Sequence, residues 1–160
     1  MGTALLFIDG SVNNKTKMGM GGYLMMPSLS EDFANINIRS FANTSSTKLE
    51  LQTLLWALEE IDEKDTIRIY TDSQNLVNLM ARKQQLVKRE FQSLKGKPLM
   101  LGEQYREFYK KMETRNFEFK KVKGHSPSKE RDRITTVFSK VDRAVRKASR
   151  EERKCRVLKS

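Results

Sequence analysis

The hydrophobic pattern changes period repeatedly along the chain. Residues 4–8, Ala-Leu-Leu-Phe-Ile, are apolar throughout and stop at Asp9-Gly10, which predicts a central strand covered on both faces. Residues 11–19 are polar and glycine-flanked and predict a turn. Residues 20–26 and 35–42 follow as strands separated by Pro27-Ser28. Leu51, Leu54, Leu55, Leu58 and Ile61 then fall at helical spacing behind Ser45-Ser46-Thr47, hydroxyl residues suited to capping. Residues 66–71 alternate as a strand, and Asp72-Ser73 opens a helix reaching about Met80.

Residues 82–97 have no clean period and end in Gly96-Lys97-Pro98, which predicts a surface excursion. A helix over 102–114 carries Tyr105, Phe108, Tyr109 and Met112 on one side, residues 116–122 alternate as a fifth strand, and Gly124-His125-Ser126-Pro127-Ser128 is a loop. From Lys129 a last helix places Ile134, Val137, Phe138, Val141, Val145 and Ala148 on one stripe. The order is β-β-β-α-β-α, excursion, α-β-α. No repeat or long linker divides it, so the expectation is a single α/β layered domain over residues 1–160.

Composition narrows this picture. The 160 residues suffice for one continuous core, and the longest apolar runs fall far short of the roughly 20 residues of a membrane span. No basic segment precedes the apolar start as a signal peptide requires, and Leu6 stands where a myristoylation signal needs Ser or Thr. One cysteine excludes an intramolecular disulfide and a multi-cysteine zinc site, and points to a reducing, cytoplasmic setting.

Charge changes it more. The chain holds 31 Lys and Arg against 20 Asp and Glu, a net +11 that calls for a polyanionic partner. Residues 82–97 carry six cations and one anion, and residues 143–160 carry eight cations and two anions. These two segments hold the whole excess, and the other 126 residues are neutral, with 17 charges of each sign. Solvated helical faces would give such runs, and so would a phosphate-tracking surface.

The informative acids interrupt apolar pattern, where an unpaired charge is costly. Asp9 ends the first apolar run, where an Asp-Gly turn is the plain alternative. Glu50 borders the stripe of its helix, and Thr47-x-x-Glu50 matches a capping box. Asp72 stands at a strand-to-helix junction, where an N-cap would suffice. Asp142 adjoins Val141 beside the stripe of the last helix, where a surface bridge to Arg146 would account for it. Two of these acids are placed at carboxyl ends of strands, where open α/β sheets present their functional crevice. Carboxylates converging there repel one another and require divalent cations, and oxygen ligands select Mg²⁺ or Mn²⁺. Two ions about 3.5–4 Å apart suit in-line displacement at a phosphodiester. His125, in a Gly-His-Ser-Pro loop, suits proton shuttling or water relay, an uninvolved surface histidine being the alternative.

At these positions the chain resembles the type I ribonucleases H over nearly its whole length. Phe7-Ile8-Asp9-Gly10-Ser11 looks like the family's first strand and acid, and Gly21-Gly22-Tyr23 like its second strand. Lys48-Leu49-Glu50-Leu51 resembles the segment with the glutamate. Tyr70-Thr71-Asp72-Ser73-Gln74 and Val122-Lys123-Gly124-His125 are the most specific matches. The resemblance implies a ribonuclease H-like fold, a five-stranded mixed sheet with helices on both faces. It further implies a monomeric endonuclease that cuts the RNA strand of RNA–DNA hybrids and leaves 5′-phosphate and 3′-hydroxyl ends. Asp9, Glu50, Asp72 and Asp142 would bind two Mg²⁺ ions (Mn²⁺ as substitute), Asp9 bridging them, with His125 assisting water delivery or product departure.

Gln74 would meet an RNA 2′-hydroxyl, which distinguishes RNA from DNA. Gly10, Ser11, Asn14, Ser45, Ser46 and Thr47 would line the substrate path. Residues 82–98, with Lys88, Arg89 and Lys95, resemble the family's basic handle, although Phe91 stands there without a Trp. Three hydroxyl residues at 45–47 replace the usual Thr and Asn. The interval from His125 to the last acid is long, which makes Asp132 a rival to Asp142. Asp142 is preferred because it sits in the apolar rhythm, whereas Asp132 lies between Arg131 and Arg133. A DNA-directed nuclease of the same superfamily and a non-catalytic nucleic-acid-binding domain are the competing functions.

Overall fold

The structure, a computed structural model, describes residues 3–27, 36–61, 66–79, 81–82, 88, 102–113, 115–122 and 129–159. The strands are β1 (Thr3–Asn13), β2 (Met18–Met26), β3 (Asn37–Phe41), β4 (Thr66–Thr71) and β5 (Phe117–Lys121). The helices are α1 (Ser46–Glu60), α2 (Gln74–Val77), α3 (Gly102–Met112) and α4 (Lys129–Lys159). The strands form one mixed sheet in the order β3-β2-β1-β4-β5, with β1 antiparallel to β2 and parallel to β4.

The all-apolar start of β1 has its explanation in this layering. Successive side chains point to opposite faces, and each face is covered by a helix. Leu6 and Ile8 enter one core with Leu51, Leu54, Leu58 and Phe108 of α1 and α3. Leu5 and Phe7 enter a second core with Val137, Val141 and Val145 of α4. The predicted helices on both faces are therefore present.

Three boundaries differ from the sequence reading. β1 does not stop at Asp9-Gly10: it continues to Asn13, and the turn is confined to residues 14–17. Ser11, Val12 and Asn13 remain extended because Met20, Gly19 and Met18 pair with them across β2. Asn13 closes the turn with its side-chain oxygen, which accepts from the Lys15 and Thr16 amides at 3.0 and 3.4 Å. The helix after Asp72 is one turn, Gln74–Val77, interrupted at Asn78 and helical again at Leu79 and at residues 81–82, where one run to about Met80 was expected, and β3 is trimmed to Asn37–Phe41. The expected excursion at 82–98 lies outside the described residues except for Arg82 and an exposed Lys88.

Glycines set the spacing of sheet and helices at β2. A Cβ on Gly21 would fall on Thr53 Oγ1 of α1, and one on Gly22 would come within 2.6 Å of Val145 Cγ2 of α4. Adjacent glycines on opposite faces thus let both helices approach the same strand closely.

Candidate active site

The site forms where β1 outruns β4. Their parallel pairing ends at Phe7 and Tyr70, whose rings stack at 4.7 Å, while β1 continues beside β2 alone. Asp9 and Asp72 each lie two residues beyond that last rung, so the side-chain alternation brings both to the same face, the α4 side. Asp9 is thus within a strand and not at its end, and the sheet opens beside it as the chain leaves β4 for α2. A crevice of about 180 Å³ occupies the opening, and Asp9, Glu50 and Asp72 line it together with Gly10, Ser46 and Thr71.

Each acid is positioned by its own element. Asp142 lies one residue after the buried Val141 of α4, and its carboxyl approaches that of Asp9 closely enough to push Asp9 up. Its other contact is the expected surface bridge, Arg146 Nε to Asp142 Oδ1 at 3.1 Å, so one side chain both makes the local bridge and neighbours Asp9. Asp72 stands between two anchored neighbours. Thr71 and Ser73 are buried, and Thr71 Oγ1 accepts from the Ser73 amide at 3.1 Å. Ser73, not Asp72, is the N-cap of α2: its Oγ accepts from the Leu76 amide at 3.2 Å.

Glu50 does not close a capping box. Ser45 caps α1, accepting from the Lys48 amide at 3.3 Å, and Glu50 instead accepts the Ser73 hydroxyl at 2.6 Å. Ser73 was not singled out as a site residue by the sequence. Its position beside Asp72 was the only signal, because its partner lies 23 residues away. Ser73→Ala should remove both the cap and the Glu50 anchor, lowering stability by about 1 kcal/mol. Turnover should fall by about tenfold as Glu50 loses its fixed orientation. Urea unfolding and steady-state kinetics check the two effects, and Ser73→Thr should retain both.

The electrostatics reflect crowding of like charges. Burial pushes the Asp9 carboxyl up to about 8, helped by the hydrogen bond with Asp142 and the nearby charge of Asp72. Glu50 is raised by burial, with the Ser73 hydroxyl opposing and Asp72 adding. Asp72 is exposed as a residue yet lines the crevice: partial desolvation raises its carboxyl, its own backbone amide opposes, Asp142 adds and Lys121 opposes. Among the described residues no three carboxylate, thiol or imidazole groups are gathered closely enough to hold a metal ion as they stand. The donor set itself consists of carboxylate oxygens held near one another at a cost, which is the chemistry that suits a hard divalent cation.

Of the remaining predicted residues, Gly10 and Ser46 line the crevice, Ser11 lies further along β1, and Asn14 and Thr47 are exposed. Ser45 is committed to its cap. Gln74 is held at both ends. Lys121 Nζ donates to its Oε1 at 2.9 Å and its Nε2 donates to Asn78 Oδ1 at 2.8 Å. An ammonium can only donate, so Lys121 dictates which way both amides face. His125, Arg89 and Lys95 lie outside the described residues, as does the side chain of Asp132.

A sheet of this order with acids at the opening beside its central parallel pair defines the class of ribonuclease H-like folds. The comparisons agree. A model of the RNase H family matches residues 2–150, and the chain belongs to that family. Ribonuclease H of Chlorobaculum parvum is 26% identical over 134 residues, covering 82% of this chain and 89% of its own. Ribonuclease H of Prosthecochloris aestuarii is 27% identical over 134 residues, covering 81% and 88%. The fold is also that of a chain in the foamy viral protease-reverse transcriptase structure determined in complex with dsDNA. That chain aligns with a TM-score of 0.65 at 14% identity, over 81% of this chain and 86% of its own. No helix among the described residues is long and apolar enough to cross a membrane.

Proposed function

We propose that the chain is an endoribonuclease that hydrolyses the RNA strand of RNA–DNA hybrids with two Mg²⁺ ions, leaving 5′-phosphate and 3′-hydroxyl ends. The observation that carries this reading is the convergence of Asp9, Glu50, Asp72 and Asp142 on one opening of the sheet, with Asp9 held far above the ordinary carboxylate range. Those four side chains would hold the ions, and Asp9, which neighbours both Asp142 and Asp72, would be shared. Bound there, divalent cations polarise the phosphodiester and make water a stronger nucleophile.

The chain's own residues supply the rest. Ser73 fixes the Glu50 carboxylate, and the cap at Ser45 sets the start of α1, which carries it. The Gln74 amide, oriented by Lys121, offers its remaining N–H and lone pair at the rim beside Asp72, where a ribose 2′-hydroxyl would be read. His125 would take or give a proton at the departing oxygen. The basic handle with Lys88, Arg89 and Lys95 would grip the DNA strand through its phosphates. The single cysteine supports a cytoplasmic setting, and the family match over residues 2–150 supports one domain, which would act as a monomer.

A labelled hybrid, a DNA duplex, a four-way junction and an RNA duplex incubated separately with the protein and Mg²⁺ test the reading. Cleavage confined to the RNA of the hybrid is expected, with ends that a ligase accepts after 5′-phosphate mapping. A hybrid left intact under both Mg²⁺ and Mn²⁺ would refute it, and preferential cutting of the DNA duplex or junction would transfer the site to a DNA-directed nuclease.

A further inference from the structure

Helix α4 is longer than its share of the core requires. Its buried side chains, Val137, Phe138, Val141, Val145 and Ser149, occupy one face, and none of residues 150–155 is buried. The outer face has a different composition. Arg143, Arg146, Lys147, Arg150, Arg153 and Lys154 are all exposed. At 100° per residue they fall within about 120° of one another, opposite the buried stripe. Glu151 falls beside that sector and Glu152 near the buried side. Among the described residues only Arg146 of the six is in an ion pair, with Asp142. The stripe runs about 16 Å along the axis from Arg143 to Lys154.

The stripe begins next to the site. Asp142, Arg146 and Arg153 lie at i, i+4 and i+11, on one flank of the helix, so a row of cations leads directly away from the acid that meets Asp9. Six like charges concentrated on a face that covers no core are costly to hold together unless a polyanion neutralises them. Duplex nucleic acid offers one phosphate per about 1.7 Å of axis, enough to engage every cation of the row.

We infer that the outer face of α4 is a second nucleic-acid-binding surface, which holds the backbone of the duplex that continues beyond the segment lying over the carboxylates. This rests on the reading of the site as a hybrid-cutting one, and it extends that reading to substrate length: the protein grips long hybrids more tightly than short ones.

The test uses the full chain carrying Arg143→Gln, Lys147→Gln, Arg150→Gln and Lys154→Gln, changes that keep helix propensity. Binding is measured against salt in an Asp9→Asn background so that substrate is not consumed, with hybrids of about 8 and about 30 base pairs. On the long hybrid, affinity should fall at least about tenfold and the slope of log K against log salt should shrink by about 3 to 4. On the short hybrid, both should change little. Equal values for parent and variant on the long hybrid would overturn the inference, as would an equal loss on both lengths. Should the fourfold variant not fold, the parent's own salt slope decides: it must be steeper on the long hybrid by a similar amount. An otherwise unsubstituted protein that cuts no hybrid but shows this length dependence would remove the catalytic reading and leave the surface standing.

Discussion

Asparagine in place of Asp9 should abolish hydrolysis of a hybrid while making the metal-free protein more stable at alkaline pH. The first effect follows from losing the carboxylate that meets Asp142 and faces Asp72. On the proposed function, cations held there would supply several kcal/mol of transition-state charge stabilisation, so the rate should drop by about a thousandfold or more. The second effect follows from linkage. In the folded chain the Asp9 carboxyl is pushed up to about 8 by burial and by its acidic neighbours, whereas in the unfolded chain it ionises near pH ~4.

Between those values the folded state keeps a proton that the unfolded state has released. Stability in EDTA therefore falls as pH rises from about 4 to about 8 and levels off above. Glu50 and Asp72 are raised as well and add slopes of the same sign. Asp9→Asn should flatten most of this fall, and its melting temperature at pH 8.5 in EDTA should exceed that of the parent. Mg²⁺ should raise the parent's melting temperature by binding the folded state, and should raise that of Asp9→Asn far less. A parent whose stability in EDTA climbs over this pH range would contradict the crowding of the acids.

The sequence located the crowded acids better than it located what holds them. Apolar rhythm located β1, α1 and α4, and the acids that broke the rhythm are those drawn together at the opening of the sheet. Local pattern misplaced their supports. Thr47-x-x-Glu50 satisfies the spacing of a capping box, yet the glutamate takes the hydroxyl of Ser73, which no window around α1 contains. Residues 11–13 resemble a turn in isolation and form strand because residues 18–20 pair with them. Asp142 was legible for a different reason. Its surface bridge to Arg146 and its approach to Asp9 use the same helical position, so the bridge does not exclude a place beside Asp9.

A methyl group at Gly21 should cost both stability and activity, although Gly21 is on β2 and none of the acids is there. The added Cβ would fall on Thr53 Oγ1 and come within 3.2 Å of a Phe41 ring carbon. Thr53 cannot swing aside freely, because it is buried and its hydroxyl donates to the Leu49 carbonyl at 2.7 Å. The remaining relief is for α1 to move off the sheet, disturbing the contacts of Leu51, Leu54 and Leu58 with β1. Overpacking of this kind costs about 1–3 kcal/mol. Glu50 is less than one turn from Thr53 on the same helix, so the displacement is carried to the Glu50 to Ser73 bond and the mouth of the crevice. A misplacement approaching 1 Å can lower turnover by about a hundredfold. Gly21→Ala should therefore lower the urea midpoint and kcat together. Thr53→Ala, by removing the atom in the way, should restore much of both when the two changes are combined, giving a favourable coupling in the double-mutant cycle. Additive losses in that cycle would mean that the helix is not held at its distance by this contact.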